Sequence, residues 1–245
     1  MKEESIYLYG KHALREALIA RPQVIKKVFL DDNAMADRDI TDILAKNNIT
    51  PGKLKGQSDI GVSKDAVHQG VIALLKNENL YTPMSVVDDI FKEKQNPLFV
   101  LLDELHDPHN VGAIIRSAVA FGASAIFIPE HNQSPITGTV IKTSVGMAFR
   151  IPIIQIGNVN QTIRTLKEKG VWVYGLVMDG DTVLKNAQFD TPTLVVVGNE
   201  SDGIRLKTLE LCDIKLSIPM NPDCESLNAS IATSVVLYEW SRGNL

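Results

Sequence analysis

Residues 98–128 read LFVLLDELHDPHNVGAIIRSAVAFGASAIFI, and this stretch decides the fold. Leu98 to Leu102 is a continuous apolar run that ends in Asp103. Asn110 to Phe121 has helical periodicity, and Ala125 to Ile128 is a second apolar run. A helix between two strands that do not alternate polar and apolar residues belongs to a parallel sheet covered on both faces. The pattern continues downstream. Apolar, β-branched runs recur at Ile151 to Ile156, Val171 to Val177, Leu194 to Val197 and Ile214 to Ile218. Helical stretches separate them at Thr137 to Val145, Asn160 to Lys169 and Ile204 to Leu211, and Leu227 to Trp240 is a long final helix. The expectation is an α/β fold built on a parallel sheet.

Upstream of this block the pattern is shorter. Gly10 to Ala20 and Asp39 to Lys46 read as helices, and Ile25 to Leu30 and Val71 to Leu75 as strands. Asp59 to Gly70 is polar and turn-rich. This is a complete small α/β domain in under 80 residues. Residues 77–96 break the rhythm with Asn77-Glu78-Asn79, Pro83 and a charged run before Pro97, around a short helix from Ser85 to Phe91. The expected division is 1–76, a linker at 77–96, and 97–245.

Composition narrows the partners. With 44% hydrophobic and 22% charged residues the chain is an ordinary globular protein. Its net charge of −4 does not advertise nucleic-acid binding. A local patch, however, is what meets phosphate. Residues 1–76 carry 12 Lys and Arg against 10 Asp and Glu, whereas residues 77–245 carry 13 against 19, so the N-terminal part is the less acidic one. Cys212 and Cys224 form no C-x-x-C pair or zinc pattern and suit a reducing compartment. No apolar run approaches the ~20 residues of a membrane span, and Met1 to Ile6 lacks the apolar core of a secretory signal. A cytoplasmic protein with no membrane contact is expected. His106 and His109 have no third ligand at a suitable spacing, so no metal is expected.

In open parallel sheets, ligands bind beyond the carboxyl ends of the strands. Three polar segments follow strands here. The first runs from Asp103 to Ser117, with Asn110 as a candidate N-cap, Gly112 allowing close approach and Arg116 further along the helix. Six residues turn a helix by ~600°, so Asn110 and Arg116 do not share a face. The second, Gly198-Asn199-Glu200-Ser201-Asp202-Gly203, runs from a buried strand into a second glycine that opens a helix. It is neither a dinucleotide fingerprint nor a phosphate loop. The third is Ile218-Pro219-Met220 followed by Ser226-Leu227-Asn228-Ala229-Ser230, where Ser226 can cap the final helix and Asn228 falls in its first turn. Each segment alone reads as capping chemistry. Their common position at strand ends points to one cleft.

In this order, the segments resemble the motifs of the SpoU (TrmH-like) branch of the SPOUT methyltransferases, and within it the 23S rRNA guanosine-2′-O-methyltransferase group. Asp107-Pro108-His109-Asn110-Val111-Gly112 with Arg116 looks like the first motif, the Gly198 to Gly203 segment like the second, and the Ile218 to Ser230 segment like the third. Tyr9-Gly10-Lys11-His12-Ala13 and Ala66-Val67-His68-Gln69-Gly70 resemble the family's RNA-substrate-binding domain. The resemblance implies a C-terminal parallel-sheet SPOUT domain with a deep trefoil knot, preceded by a small ribosomal-protein-like α/β domain. It implies S-adenosylmethionine as cofactor, held by Gly198, Ile218 and Leu227. Further implications are RNA as partner, a homodimer, and Asn110, Arg116, Glu200, Ser226 and Asn228 as active-site residues. Lys11, His12, Arg15, Lys53 and Lys55 are candidate phosphate contacts. The resemblance offers the arginine as the base for the hydroxyl proton, but a free guanidinium is effectively always protonated, so the arginine is read first as orienting the 2′-hydroxyl and adjacent phosphate, with the base role as the alternative. The third motif departs from the family where Pro222 replaces a usual glycine, which puts the loop's shape in question. A tRNA 2′-O-methyltransferase and an inactive RNA-binding relative remain the alternatives.

Overall fold

A computed structural model describes residues 5–54 and 68–245. Lys55 and the Ala66-Val67 part of the second N-terminal signature lie outside the described residues. The chain divides into two compact units, residues 1–81 with 136–150, and residues 82–135 with 151–245.

The first unit is a four-stranded sheet in the order β1 (Tyr7–Tyr9), β4 (Val71–Leu75), β2 (Ile25–Leu30), β3 (Gly52–Lys53). β4 is antiparallel to both its neighbours, and β2 and β3 are parallel. Helix α1 (Lys11–Ala20) buries Ala13, Leu14, Ala17 and Leu18, the face read from its periodicity. Short α2 (Asp32–Met35) is capped by the Asp31 carboxylate, and α3 (Arg38–Lys46) buries Ile40 and Leu44. The segment 136–150 contributes α6 (Gly138–Thr143), capped by Thr137. Gly138 lies so close to the Tyr7 carbonyl that a Cβ there would overlap it. Arg150 pairs at 2.6 Å with the largely buried Glu16.

The second unit is the expected parallel sheet, seven strands in the order β7-β6-β5-β10-β8-β11-β9. These are β5 (Leu98–Leu102), β6 (Ala125–Pro129), β7 (Ile153–Ile156), β8 (Trp172–Leu176), β9 (Thr182–Val183), β10 (Thr193–Val197) and β11 (Ile214–Ser217). Every residue of β5 is fully buried. At about 1.5–3 kcal/mol for each large apolar side chain removed from water, this strand anchors the sheet. Phe99 packs against Phe127 and Phe91. Helix α4 (Val86–Glu93) supplies Phe91 and also buries Val87 and Ile90 in the same core. Helices α5 (Pro108–Ala120), α7 (Val159–Glu168), α8 (Leu206–Leu209) and α9 (Ala229–Asn244) complete the unit. α9 returns to lie on α5, where Ser117 and Ser234 share a 2.7 Å hydrogen bond and Phe121 meets Tyr238 edge-on.

Three helix starts differ from the sequence reading. α5 begins at Pro108, because Asp107 accepts from the His109 N–H and proline suits the first helical position. Asn110 is therefore inside the first turn and is not the cap. α9 is capped by Asn228, whose Oδ1 accepts from the Ser230 and Ile231 N–H groups; Ser226 lies outside the helix. Gly203 does not open a helix. Its φ is +68° and it closes a turn with Asn199, so α8 starts only at Leu206.

Candidate functional site

Strand order builds the site. β10 lies beside β5 in register, with Val197 opposite Leu102. The loops that leave these two strands therefore emerge side by side, although they are nearly a hundred residues apart in sequence. The last turn before α9 reaches the same place because α9 packs on α5.

Asn110 is almost fully buried on the first turn of α5. Its Nδ2 donates to Glu200 Oε1 at 2.7 Å, and its Oδ1 accepts from Asn228 Nδ2 at 2.9 Å. One amide thus links all three motif segments through side chains. Asn228 does two jobs: its oxygen caps α9 and its NH2 group faces Asn110. The Glu200 carboxylate is otherwise exposed, a charged acceptor held in place from one side.

The Glu200 turn is fixed by its flanking residues and by Arg205. Asn199 donates to the Glu104 carbonyl at 2.7 Å and accepts from the Ser201 N–H at 2.8 Å. A Cβ at Gly198 would overlap the backbone of Gly203 and Ile204, so the turn closes only over glycine. Behind it, Asp103 is fully buried and receives Arg205 through Nη2 at 2.6 Å and Nε at 3.3 Å. Arg205 Nη1 also reaches Glu104 at 2.9 Å. Glu104 has φ +65°, in the left-handed region that non-glycine residues rarely occupy. The available signal was a carboxylate directly after a buried strand, which needs a partner; the partner two residues past Gly203 could not be assigned without the fold.

Arg116 is exposed on α5 and makes no hydrogen bond or ion pair among the described residues. It is not joined to the Asn228–Asn110–Glu200 chain, as the helical rotation required. Ser226 is exposed, and its carbonyl accepts a weak bond from the Cys224 thiol. The Pro222 loop is an exposed turn: the Cys224 N–H donates to the Asn221 carbonyl at 2.9 Å and the Asp223 N–H to Asn221 Oδ1 at 3.0 Å. Pro222 occupies the turn position that proline favours. Gly198 follows β10, Ile218 follows β11, and Leu227 precedes the α9 cap, the last two half-buried. Ser217 Oγ contacts the carbonyls of Gly180 and Thr182, both at 3.4 Å.

In the first unit, His12 and Arg15 are exposed on one side of α1. Lys11 pairs with Asp37 at 2.7 Å and Lys53 with Asp32 at 2.8 Å. The Lys11 partner holds the Asp37 carboxyl below its ordinary range. Among the described residues no group of three or more His, Cys, Asp or Glu is placed to hold a metal ion, and no helix is long and apolar enough to cross a membrane.

Comparison with known proteins follows this layout. The sequence model of the SpoU rRNA methylase family matches residues 97–238, and that of the RNA 2′-O ribose methyltransferase substrate-binding domain matches residues 7–81. The 23S rRNA (guanosine-2′-O-)-methyltransferase RlmB of Vibrio parahaemolyticus is 33% identical over 98% of this chain and 97% of its own length. That of Xanthomonas campestris pv. campestris is 32% identical over 100% and 99%. An AdoMet-bound rRNA methyltransferase from Sinorhizobium meliloti shares the fold with a TM-score of 0.81 at 24% identity, over 98% of this chain and 88% of that one. With a family match across more than half its length and full-length relatives above 30% identity, the chain belongs to the SpoU rRNA methylase family.

Proposed function

We propose that the chain transfers the methyl group of S-adenosylmethionine to a ribose 2′-hydroxyl of RNA, the target being a guanosine of 23S rRNA. The observation that carries this reading is the hydrogen-bonded chain Asn228–Asn110–Glu200, which ties together the three strand-end loops. The full-length likeness to 23S rRNA guanosine-2′-O-methyltransferases supports the choice of RNA and nucleotide.

The loops after β8, β10 and β11 suit the cofactor. The contacts of Ser217 with Gly180 and Thr182 bring main chain to the rim, and Ile218 and Leu227 add half-buried apolar side chains. That combination fits a ligand with a flat ring whose polar edge bonds to backbone. Gly198, Ile218 and Leu227 would hold it. When bound, S-adenosylmethionine supplies a methyl group on a positively charged sulfur, which is a good leaving group. The chain's own task is placement, setting a hydroxyl oxygen ~3 Å from the methyl carbon and in line with the breaking bond; as the O–C bond forms and the C–S bond breaks, the neutral thioether leaves and the hydroxyl proton passes to solvent. Arg116, with its fork of N–H donors, orients the 2′-hydroxyl and adjacent phosphate. Glu200, held by Asn110, fixes the ribose or its loop, and Ser226 and Asn228 bound the same space. Lys11, His12, Arg15 and Lys53 are read as phosphate contacts of an N-terminal RNA-holding domain. We also take up the family's knotted chain path for residues 97–245.

The reading includes a homodimer in a cytoplasmic setting. Ile231, Val235 and Tyr238 recur at i, i+4 and i+7 on α9, and each is more than a third exposed. A second copy covering this stripe would bring its Arg116 to the first copy's site, which accounts for an arginine with no partner among the described residues. The test is transfer of labelled methyl from S-adenosylmethionine to protein-free 23S rRNA, with the product mapped by mass spectrometry. A 2′-O-methylguanosine is expected; methylation on a base, or none, refutes the reading. Mixing inactive Arg116→Ala and Glu200→Ala chains should restore part of the activity. No restoration would refute the shared site.

A further inference from the structure

A cleft opens beside the loop that follows β5. It lies at the carboxyl ends of β5, β6 and β7, holds about 410 Å³, and runs from Glu104 to the first turns of α7 and α8. Its volume falls within the roughly 300–1,000 Å³ of small-molecule sites. It shares a wall with the candidate active site, because Glu104, whose carbonyl accepts from Asn199, lines it.

The chemistry of the lining identifies the ligand class. Two amides have their oxygens committed and their NH2 groups free. Asn158 Oδ1 accepts from the Gln161 N–H, and Asn160 Oδ1 accepts from Thr208 Oγ1 at 3.1 Å. Neither Nδ2 has a partner among the described residues. The Glu104 carboxylate supplies acceptors, one oxygen being taken by Arg205. The cleft is no phosphate trap. Arg205 is spent on Glu104 and on Asp103, which lies buried behind the lining, so these two carboxylates balance Arg205 and Lys207. Donors and acceptors at separate points, without net charge, match the edge of a neutral heterocycle. The walls match its faces: Leu206, 79% exposed, lines the cleft together with Pro129 and His131. Two of the residues, Glu104 and Asn132, have φ values of +65° and +54°. Such conformations persist where surrounding structure holds a side chain to a task.

We propose that this cleft binds an unpaired base of the substrate RNA next to the nucleotide being methylated. Unpaired bases are read by hydrogen bonds to their edges and by stacking on side chains. The assignment rests on the RNA methyltransferase reading above. It adds a point of sequence and single-strand selectivity outside the residues that handle the ribose.

The test uses the full chain and protein-free 23S rRNA. Leu206→Ser removes an exposed apolar face, and Asn160→Asp keeps the acceptor for Thr208 while removing the free donors. Each variant should bind the RNA about tenfold more weakly, with S-adenosylmethionine affinity and melting temperature unchanged. A single-stranded oligonucleotide should compete less well against the variants than against wild type, and a duplex equally well against both. Unchanged RNA affinity in both variants overturns the proposal. So does an equal loss for single-stranded and duplex competitors, which would mean backbone contact, or a loss that follows a fall in melting temperature. A wild-type chain that binds RNA but transfers no methyl group would instead refute the enzymatic reading and leave the affinity result standing.

Discussion

Replacing Arg205 by alanine exposes the cost of the buried charge behind the Glu200 turn. Asp103 has a fully buried side chain, while Arg205 is 47% exposed. Removing one partner of a buried pair costs about 3–5 kcal/mol, because the remaining charge stays uncompensated. Water can enter the half-exposed space that the guanidinium leaves, so the lower end, about 3 kcal/mol, applies. The Glu104 contact is screened and adds less than about 1 kcal/mol. At roughly 2–4 °C per kcal/mol for a chain of this size, the melting temperature should fall by about 6–12 °C. Thermal and urea unfolding of wild type, Arg205→Ala, Asp103→Asn and the double variant provide the assay. Asparagine at 103 has no charge left to bury, so the double variant should recover at least half of the loss. An Arg205→Ala protein within about 1 kcal/mol of wild type would refute the reasoning, because it would put the pair in the range of surface ion pairs. A double variant with no recovery would refute it as well.

Other expectations follow from the same geometry. Gly198→Ala forces a Cβ into the backbone of Gly203 and Ile204, so calorimetry should find S-adenosylmethionine binding weakened at least about tenfold (about 1.4 kcal/mol); full affinity would mean that the turn opens freely. Asn228→Ala should cost about 1 kcal/mol through the lost cap. Asn228→Asp keeps the capping oxygen but sets a carboxylate oxygen against the buried Asn110 Oδ1, so it should lose about 1–3 kcal/mol in thermal melts and methyl transfer should fall. Equal activity would reduce Asn228 to a cap. Burial pushes the Cys212 thiol up to about 12 from its ordinary 9.0, and burial does the same for the Tyr174 hydroxyl, from 10.0 to about 12. Both groups hold their protons more tightly in the folded chain. Stability from them is therefore complete below about pH 9 and declines as pH rises towards 12, which urea titrations across this range can follow. At pH 8 iodoacetamide should label Cys224, which is exposed, and spare Cys212 until the chain is denatured.

The strands of the second unit were legible because each is buried on both faces. Val195 and Val100 lie in the same layer for the reason that made both runs continuously apolar. Short strands such as Gly52–Lys53 and Thr182–Val183 carry no periodicity, and only their sheet partners define them. Helix starts were misread where two residues competed for one cap. Asn110 and Asp107 are both good caps, and Pro108 decides between them. Asn110, Glu200 and Asn228 could be named through resemblance, but their hydrogen bonds depend on β10 inserting beside β5, a long-range pairing that local sequence does not encode. The roles of Arg205 and Asn199 are hidden for the same reason, since their partners, Asp103 and the Glu104 carbonyl, lie about a hundred residues upstream.

The pairing of Glu16 with Arg150, and the packing of Gly138 against Tyr7, have a consequence for synthesis. Residues 136–150 complete the first unit, yet they are translated after β5, α5 and β6 of the second. The first unit therefore cannot be complete when its four strands have left the ribosome. Its last segment is available only once about 150 residues have been made. The nascent chain must hold two unfinished units at once, and a pause in translation before residue 136 would leave both exposed to misfolding.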